Sequence, residues 1–135
     1  MSNLPIFDVA GSALQAQSVR MSTIASNLAN ADSVAGSADA VYKPIEPVFQ
    51  AQTHGQDASL TGVRVREIAQ SDAPPLRRYE PGHPLADDQG YVFAPAVDPV
   101  AQMVNLISAS RNYQAGVEMI NTAKELAVAT LSMGR

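Results

Sequence analysis

The sequence predicts an α+β fold, mainly α: long N- and C-terminal helices packed as a coiled-coil pair, with a small irregular β insert between them. Three observations predict it. Apolar residues recur at helical spacing through both ends of the chain. Proline is concentrated in the middle, with eight of the nine running from Pro44 to Pro99. One middle segment alternates apolar and charged residues in the manner of a half-buried strand. The corresponding divisions are 1–35 for the N-terminal helix of a core domain, 36–97 for a loop-rich β segment, and 98–135 for the C-terminal helix of the core.

The first helix is read from a heptad. Phe7, Leu14, Met21 and Leu28 stand seven apart, and Ala10, Gln17, Ile24 and Ala31 follow each by three. That is the seam of a coiled coil, with Gln17 its one polar member. A polar residue in such a seam fixes register at some cost in stability. The remaining faces are Ser, Gln, Asn and Ala, and residues 1–35 carry only Asp8, Arg20 and Asp32 as charges. A solvated coiled coil shows Glu and Lys beside its seam; here the outer faces are expected to be buried against other subunits. Asn27 and Asn30 precede the point where the pattern fails, and local capping of the helix end is their expected role, ahead of bonding between subunits.

The middle segment opens with the small polar run Ser33–Asp39, a loop. Strand-like stretches follow at Val41–Ile45 and Val48–Gln50, where the prolines favour an edge position. Residues 51–62 read as a flexible tract. Gly62–Ile68 carries the best strand signal, and Leu76–Tyr79 is expected to pair with Tyr91–Phe93 around Pro81–Pro84. Together these make a small sheet. Arg64, Arg66, Arg77 and Arg78 read as a solvated or inter-subunit polar face.

The second helix runs from Asp98 to Met133. Asp98 is a good cap, and Pro99 at the first helical position gives up a hydrogen bond the helix never makes there. Met103, Leu106, Tyr113, Val117, Ile120, Ala127 and Leu131 recur at three- and four-residue steps. Ala109, Gly116 and Ala123 form a second row seven apart, small enough to let another backbone approach closely. Phe7, Leu14, Met21, Ile24 and Leu28 are expected to pack on Leu106, Tyr113, Val117, Ile120 and Leu131, within the chain or on an adjacent subunit. A helix of roughly 35 residues is about 50 Å long, more than a domain of this size needs for its own core.

Composition narrows the function classes. The net charge of −4 and the absence of a basic cluster beyond Arg77-Arg78 argue against nucleic-acid binding. The chain has no cysteine, which removes disulfides, thiolate metal sites and cysteine nucleophiles together. No apolar run approaches the ~18 residues of a membrane span. The first cation, Arg20, follows Asp8, which is not the pattern of a cleaved signal peptide. His54 and His83 both lie in loop-like sequence without metal-ligand spacing. Asp87-Asp88-Gln89-Gly90 lacks the alternating ligands of a calcium loop and reads as a hairpin turn. No nucleophile elbow, phosphate loop or dinucleotide fingerprint occurs. Neither an enzyme nor a cofactor is expected.

Four stretches then carry a resemblance. Ser26-Asn27-Leu28-Ala29-Asn30-Ala31-Asp32 resembles the N-terminal signature of the flagellar rod and hook axial proteins. Ile6–Leu14, Tyr79–Asp87 and Ser108–Ala115, in order and at matching spacing, resemble the proximal-rod members of that family over essentially the whole chain. The family's common Thr-Pro-Gly-Tyr-Lys continuation is absent, replaced by the longer Ser33–Val41 loop before Tyr42-Lys43. The resemblance implies terminal helices lining the core of a helical tube, with the middle segment further out against neighbouring subunits. It also implies copies of the chain and other rod subunits as partners, torque transmission across the periplasm, and passage through the flagellar type III export apparatus. A secreted helical adaptor, or another axial subunit of the family, is the alternative.

Overall fold

In the computed structural model, residues 5–53 and 60–134 are described. The element order is α1 (Pro5–Ala29), β1 (Ile45–Thr53), β2 (Thr61–Gln70), β3 (Leu76–Tyr79), β4 (Tyr91–Ala94) and α2 (Pro99–Met133). Two long helices flanking a small β insert is the architecture expected from the sequence. α1 stops at Ala29, so Ala31, the last heptad position, falls in the turn that follows. α2 begins as read: the Asp98 carboxylate accepts from the N–H groups of Val100 and Ala101 at 2.9 and 3.2 Å.

The β insert differs from expectation in two ways. It forms two separate two-stranded antiparallel sheets, β1–β2 and β3–β4, where one small sheet was expected. The outer edge of β4 is occupied by the loop after α1: Ala35 and Phe93 exchange both backbone hydrogen bonds, at 2.8 and 2.9 Å. The β1 register starts at Ile45; just before it the Pro44 carbonyl accepts from the Ser71 N–H at 2.8 Å, and Pro44 has no N–H to extend the ladder further. The register of β1 on β2 shifts between Val48 and Phe49, which leaves Arg66 of β2 as the extra residue of a bulge.

α1 lies in the middle of the molecule. It packs against α2 on one side and against the β1–β2 ribbon on the other. The later part of α1, from Arg20 to Asn27, lies near Gln102 and Asn105, whereas Leu14 lies near Gly116, so the helices run antiparallel. Ala35 on the loop after α1, Val92 and Ala94 on β4, and Val41 before β1 are also buried.

Candidate functional site

The inward face of α2 is the face of small residues. Ala109 is fully buried, and Gln102, Leu106, Gly116, Ile120, Ala123 and Ala127 are half-buried, at steps of three, four or seven residues. The reason is volume. Small side chains bring the two backbones close, and Leu14 of α1 lies directly over Gly116. Of the residues expected in this seam, Ile24 is buried, and Phe7, Leu14, Met21, Leu28, Leu106 and Ile120 are half-buried. Tyr113 and Val117 stand at the rim, and Leu131, 75% exposed, has little contact within the chain.

Gln17 sits where the heptad places it, and its Oε1 is buried without a hydrogen-bond partner. Its neighbours line a cleft of about 250 Å³ between the helices, formed by Ala13, Leu14, Asn112, Ala115, Gly116 and Met119.

Asn27 does not cap the helix. It is 1% exposed and uses its side-chain amide as a strand would use a backbone. The Nδ2 group donates to the Ile45 carbonyl and Oδ1 accepts from the Ile45 N–H, both at 2.9 Å. Tyr42 donates its hydroxyl hydrogen to the same Oδ1 at 2.9 Å, and Ser26 Oγ lies 3.1 Å from that hydroxyl. Both ends of the buried amide are thus paired, and it locks the entry of β1 onto the last turn of α1. Asn30 donates from Nδ2 to the Ser26 carbonyl at 2.8 Å. Fifteen residues before Asn27, the Ser12 hydroxyl accepts from the Val63 N–H at 3.1 Å and donates to the Val9 carbonyl. Two polar clamps therefore hold the β1–β2 ribbon along α1. Sequence reasoning missed Ser12 and Tyr42, since nothing in the spacing pairs either with a segment so distant.

In the β3–β4 hairpin, Asp87 is the organising residue. Its Oδ1 accepts from the N–H groups of Tyr91 and Gln89 at 2.8 and 2.9 Å, and Arg77 reaches Oδ2 at 3.3 Å. The Tyr91 N–H is the main group holding the carboxyl below its ordinary value; desolvation opposes it, and the Gln89 N–H and the Arg77 guanidinium add to the lowering. Arg77 also lies 4.4 Å over the Tyr91 ring, which meets Tyr79 at 5.2 Å. His83 Nδ1 accepts from the Leu85 N–H within the turn, while His54 lies outside the described residues. Among the described residues, no three His, Asp or Glu side chains converge, and no helix is long and apolar enough to cross a membrane.

The outer surface of α2 is the opposite of its seam. Val100, Met103, Val104, Ile107, Leu126 and Val128 are 55–70% exposed. In a helix of 35 residues, Ala109 alone is buried. Exposed apolar area on this scale marks an interaction surface.

Comparison with known proteins accounts for both ends of the chain. Residues 7–36 match the family described as flagella basal body rod protein, and residues 88–133 match the C-terminal family of the flagellar basal body rod FlgEFG proteins. The chain is 52% identical to the flagellar basal-body rod protein FlgC of Yersinia enterocolitica and 51% identical to that of Escherichia coli O6:H1, with full coverage of both chains in each case. The FlgC of Aquifex aeolicus is 40% identical over 119 residues, 88% of this chain and 87% of the relative. The two matched segments are α1 with the loop behind it, and β4 with α2, the elements that build the paired helices and their exposed outer face. The chain belongs to the FlgC family of flagellar basal-body rod proteins.

Proposed function

We propose that this chain is a structural, non-enzymatic subunit of the proximal rod of the bacterial flagellar basal body. It assembles with copies of itself and with other rod subunits into a helical tube that carries torque across the periplasm and leaves a central channel for export. It reaches that site through the flagellar type III export apparatus. The observation that carries this reading is the outer face of α2, a helix of 35 residues with a single buried residue. Isolated helices gain most of their stability from packing, so a helix this long and this uncovered implies packing supplied by neighbours. Contacts between unlike surfaces that do not close on themselves build a filament.

The assembly residues divide in two on this reading. Phe7, Leu14, Met21, Ile24, Leu28, Leu106, Gly116 and Ile120 hold the pair together within the chain. Tyr113, Val117 and Leu131 face neighbouring subunits. Asn27 and Asn30 fix the end of α1, and segment 36–97 lies outside the helical core formed by 1–35 and 98–135. Electron microscopy and sedimentation of the purified chain, alone and with other rod subunits, test the proposal. Incorporation into tubes with both helices enclosed is the expected result. A well-folded monomer that joins no assembly under any condition overturns it and favours an adaptor.

A further inference from the structure

Among the described residues, Arg20 is the one cation that is half-buried, and every other Lys and Arg is exposed. Arg64, Arg66, Arg77 and Arg78 are answered within the chain by Gln50, Glu67, Asp87 and Glu80. The Arg20 guanidinium has no hydrogen bond or ion pair among the described residues. Drawing a charge even partly out of water without a partner is unfavourable, so a side chain kept this way is open to a counter-charge from outside. Arg20 stands at a pocket of about 230 Å³ where α1, α2 and β1 meet. Thr23 and Ile24 line it from α1, Ile45 and Phe49 from β1, and Gln102 and Asn105 from α2. The Thr23 hydroxyl is already bonded to the Arg20 carbonyl at 2.9 Å. What remains to meet an occupant is one guanidinium and two side-chain amides, all able to donate, between apolar walls.

Resting on the rod reading above, we infer that this pocket receives the carboxylate of an aspartate or glutamate side chain from a neighbouring rod subunit. A guanidinium fork takes the two oxygens of a carboxylate side by side, and the amides of Gln102 and Asn105 supply further donors. The partly enclosed setting strengthens such a pair over one on the open surface. Glu46 sets the charge of the occupant. It is the only acid lining the pocket, it is exposed, and it forms no ion pair with Arg20. One cation with a carboxylate at its edge suits a single negative charge and repels a phosphate or other dianion.

Carbodiimide coupling of the assembled protein tests this, because it joins an amine to a carboxylate only where the two are in contact. Arg20→Lys supplies the amine and Arg20→Gln is the control. Both should match the parent in helical content by circular dichroism, since Arg20 has no side-chain partner within the chain to lose. Arg20→Lys is mixed into an excess of the parent and assembled with the other rod subunits. Mass spectrometry should then find position 20 linked to an aspartate or glutamate of a different chain, and no such link from Arg20→Gln. Arg20→Gln alone should join assemblies at least about tenfold less well than the parent, the scale of losing one partner of a buried charge pair. A link from position 20 only to Glu46 of the same chain overturns the inference, as does the absence of any link in tubes that have formed. Entry of Arg20→Gln into tubes as readily as the parent also overturns it and leaves the rod reading standing. Failure of the parent to join any assembly removes the rod reading itself, and the inference with it.

Discussion

Leu14 fills the space that a side chain at Gly116 would need. A Cβ placed on Gly116 would stand 2.7 Å from Leu14 Cδ2 and 3.4 Å from its Cγ. The methyl group is the far end of a flexible side chain, so Gly116→Ala should be tolerated by a shift of Leu14, helped by the better helix propensity of alanine. Gly116→Leu has no such escape and should destabilise the pair by about 1–3 kcal/mol and block assembly. The double variant Leu14→Ala/Gly116→Leu should recover part of that loss. Chemical denaturation of the four proteins gives the coupling energy; additive effects would show that the two residues do not meet.

Asn27 should be the most sensitive polar position in the chain. Asn27→Ala leaves the Ile45 N–H and carbonyl without their side-chain partner and takes from the Tyr42 hydroxyl one of its two partners. A loss of about 2–4 kcal/mol is expected, given the penalty for unpaired buried groups. Asn30→Ala, which removes one hydrogen bond at the helix end, should lose about 1 kcal/mol or less. Equal effects at the two positions by thermal denaturation would contradict the strand-like role of Asn27.

Gln17→Leu should stabilise the free chain. The substitution removes a buried acceptor that has no partner and fills a seam position with apolar volume. A gain of about 1–2 kcal/mol is expected, equivalent to roughly 3–6 °C in Tm. A lower Tm would mean that the Gln17 amide is favourably paired in solution.

Acid should release the β3–β4 turn. The folded-state pKa of Asp87 lies below the ordinary 3.8, so the stabilisation it supplies is complete above that value and is lost as pH falls through the folded pKa. The Gln89 and Tyr91 amide resonances should therefore titrate together, with an inflection below 3.8. Asp87→Asn should abolish that inflection. An inflection at or above the ordinary value would show that the carboxylate is not held by these groups.

Both helices were legible because their physics is local. Asp98-Pro99 is a start signal in two residues, and the seven-residue rows of α1 and α2 report which faces meet. Residues 91–93 were matched correctly to 76–79 because a hairpin joins neighbours in sequence. The structure departs from the reading where long-range hydrogen bonds decide. Ala35 takes the edge of β4 from outside the hairpin, and Asn27 reaches 18 residues ahead to Ile45, so neither bond leaves a periodic trace. The heptad spacing was legible in α2, but not which of its rows faces inward. Large residues such as Val117 and Leu131 read as core by spacing, yet the small row of Ala109, Gly116 and Ala123 gives the closer approach to α1. That leaves Val117 at the rim and Leu131 turned out, while Leu106 and Ile120 stay half-buried beside the small row.

The most direct measurement is amide hydrogen exchange, made on the dilute monomer and on the assembled rod. If neighbours supply the packing that α2 lacks, exchange from Val104 to Leu131 should be fast in the monomer and strongly slowed in the assembly. Equal, strong protection of that stretch in the dilute monomer would show that the chain stabilises its own long helix, and would contradict the account.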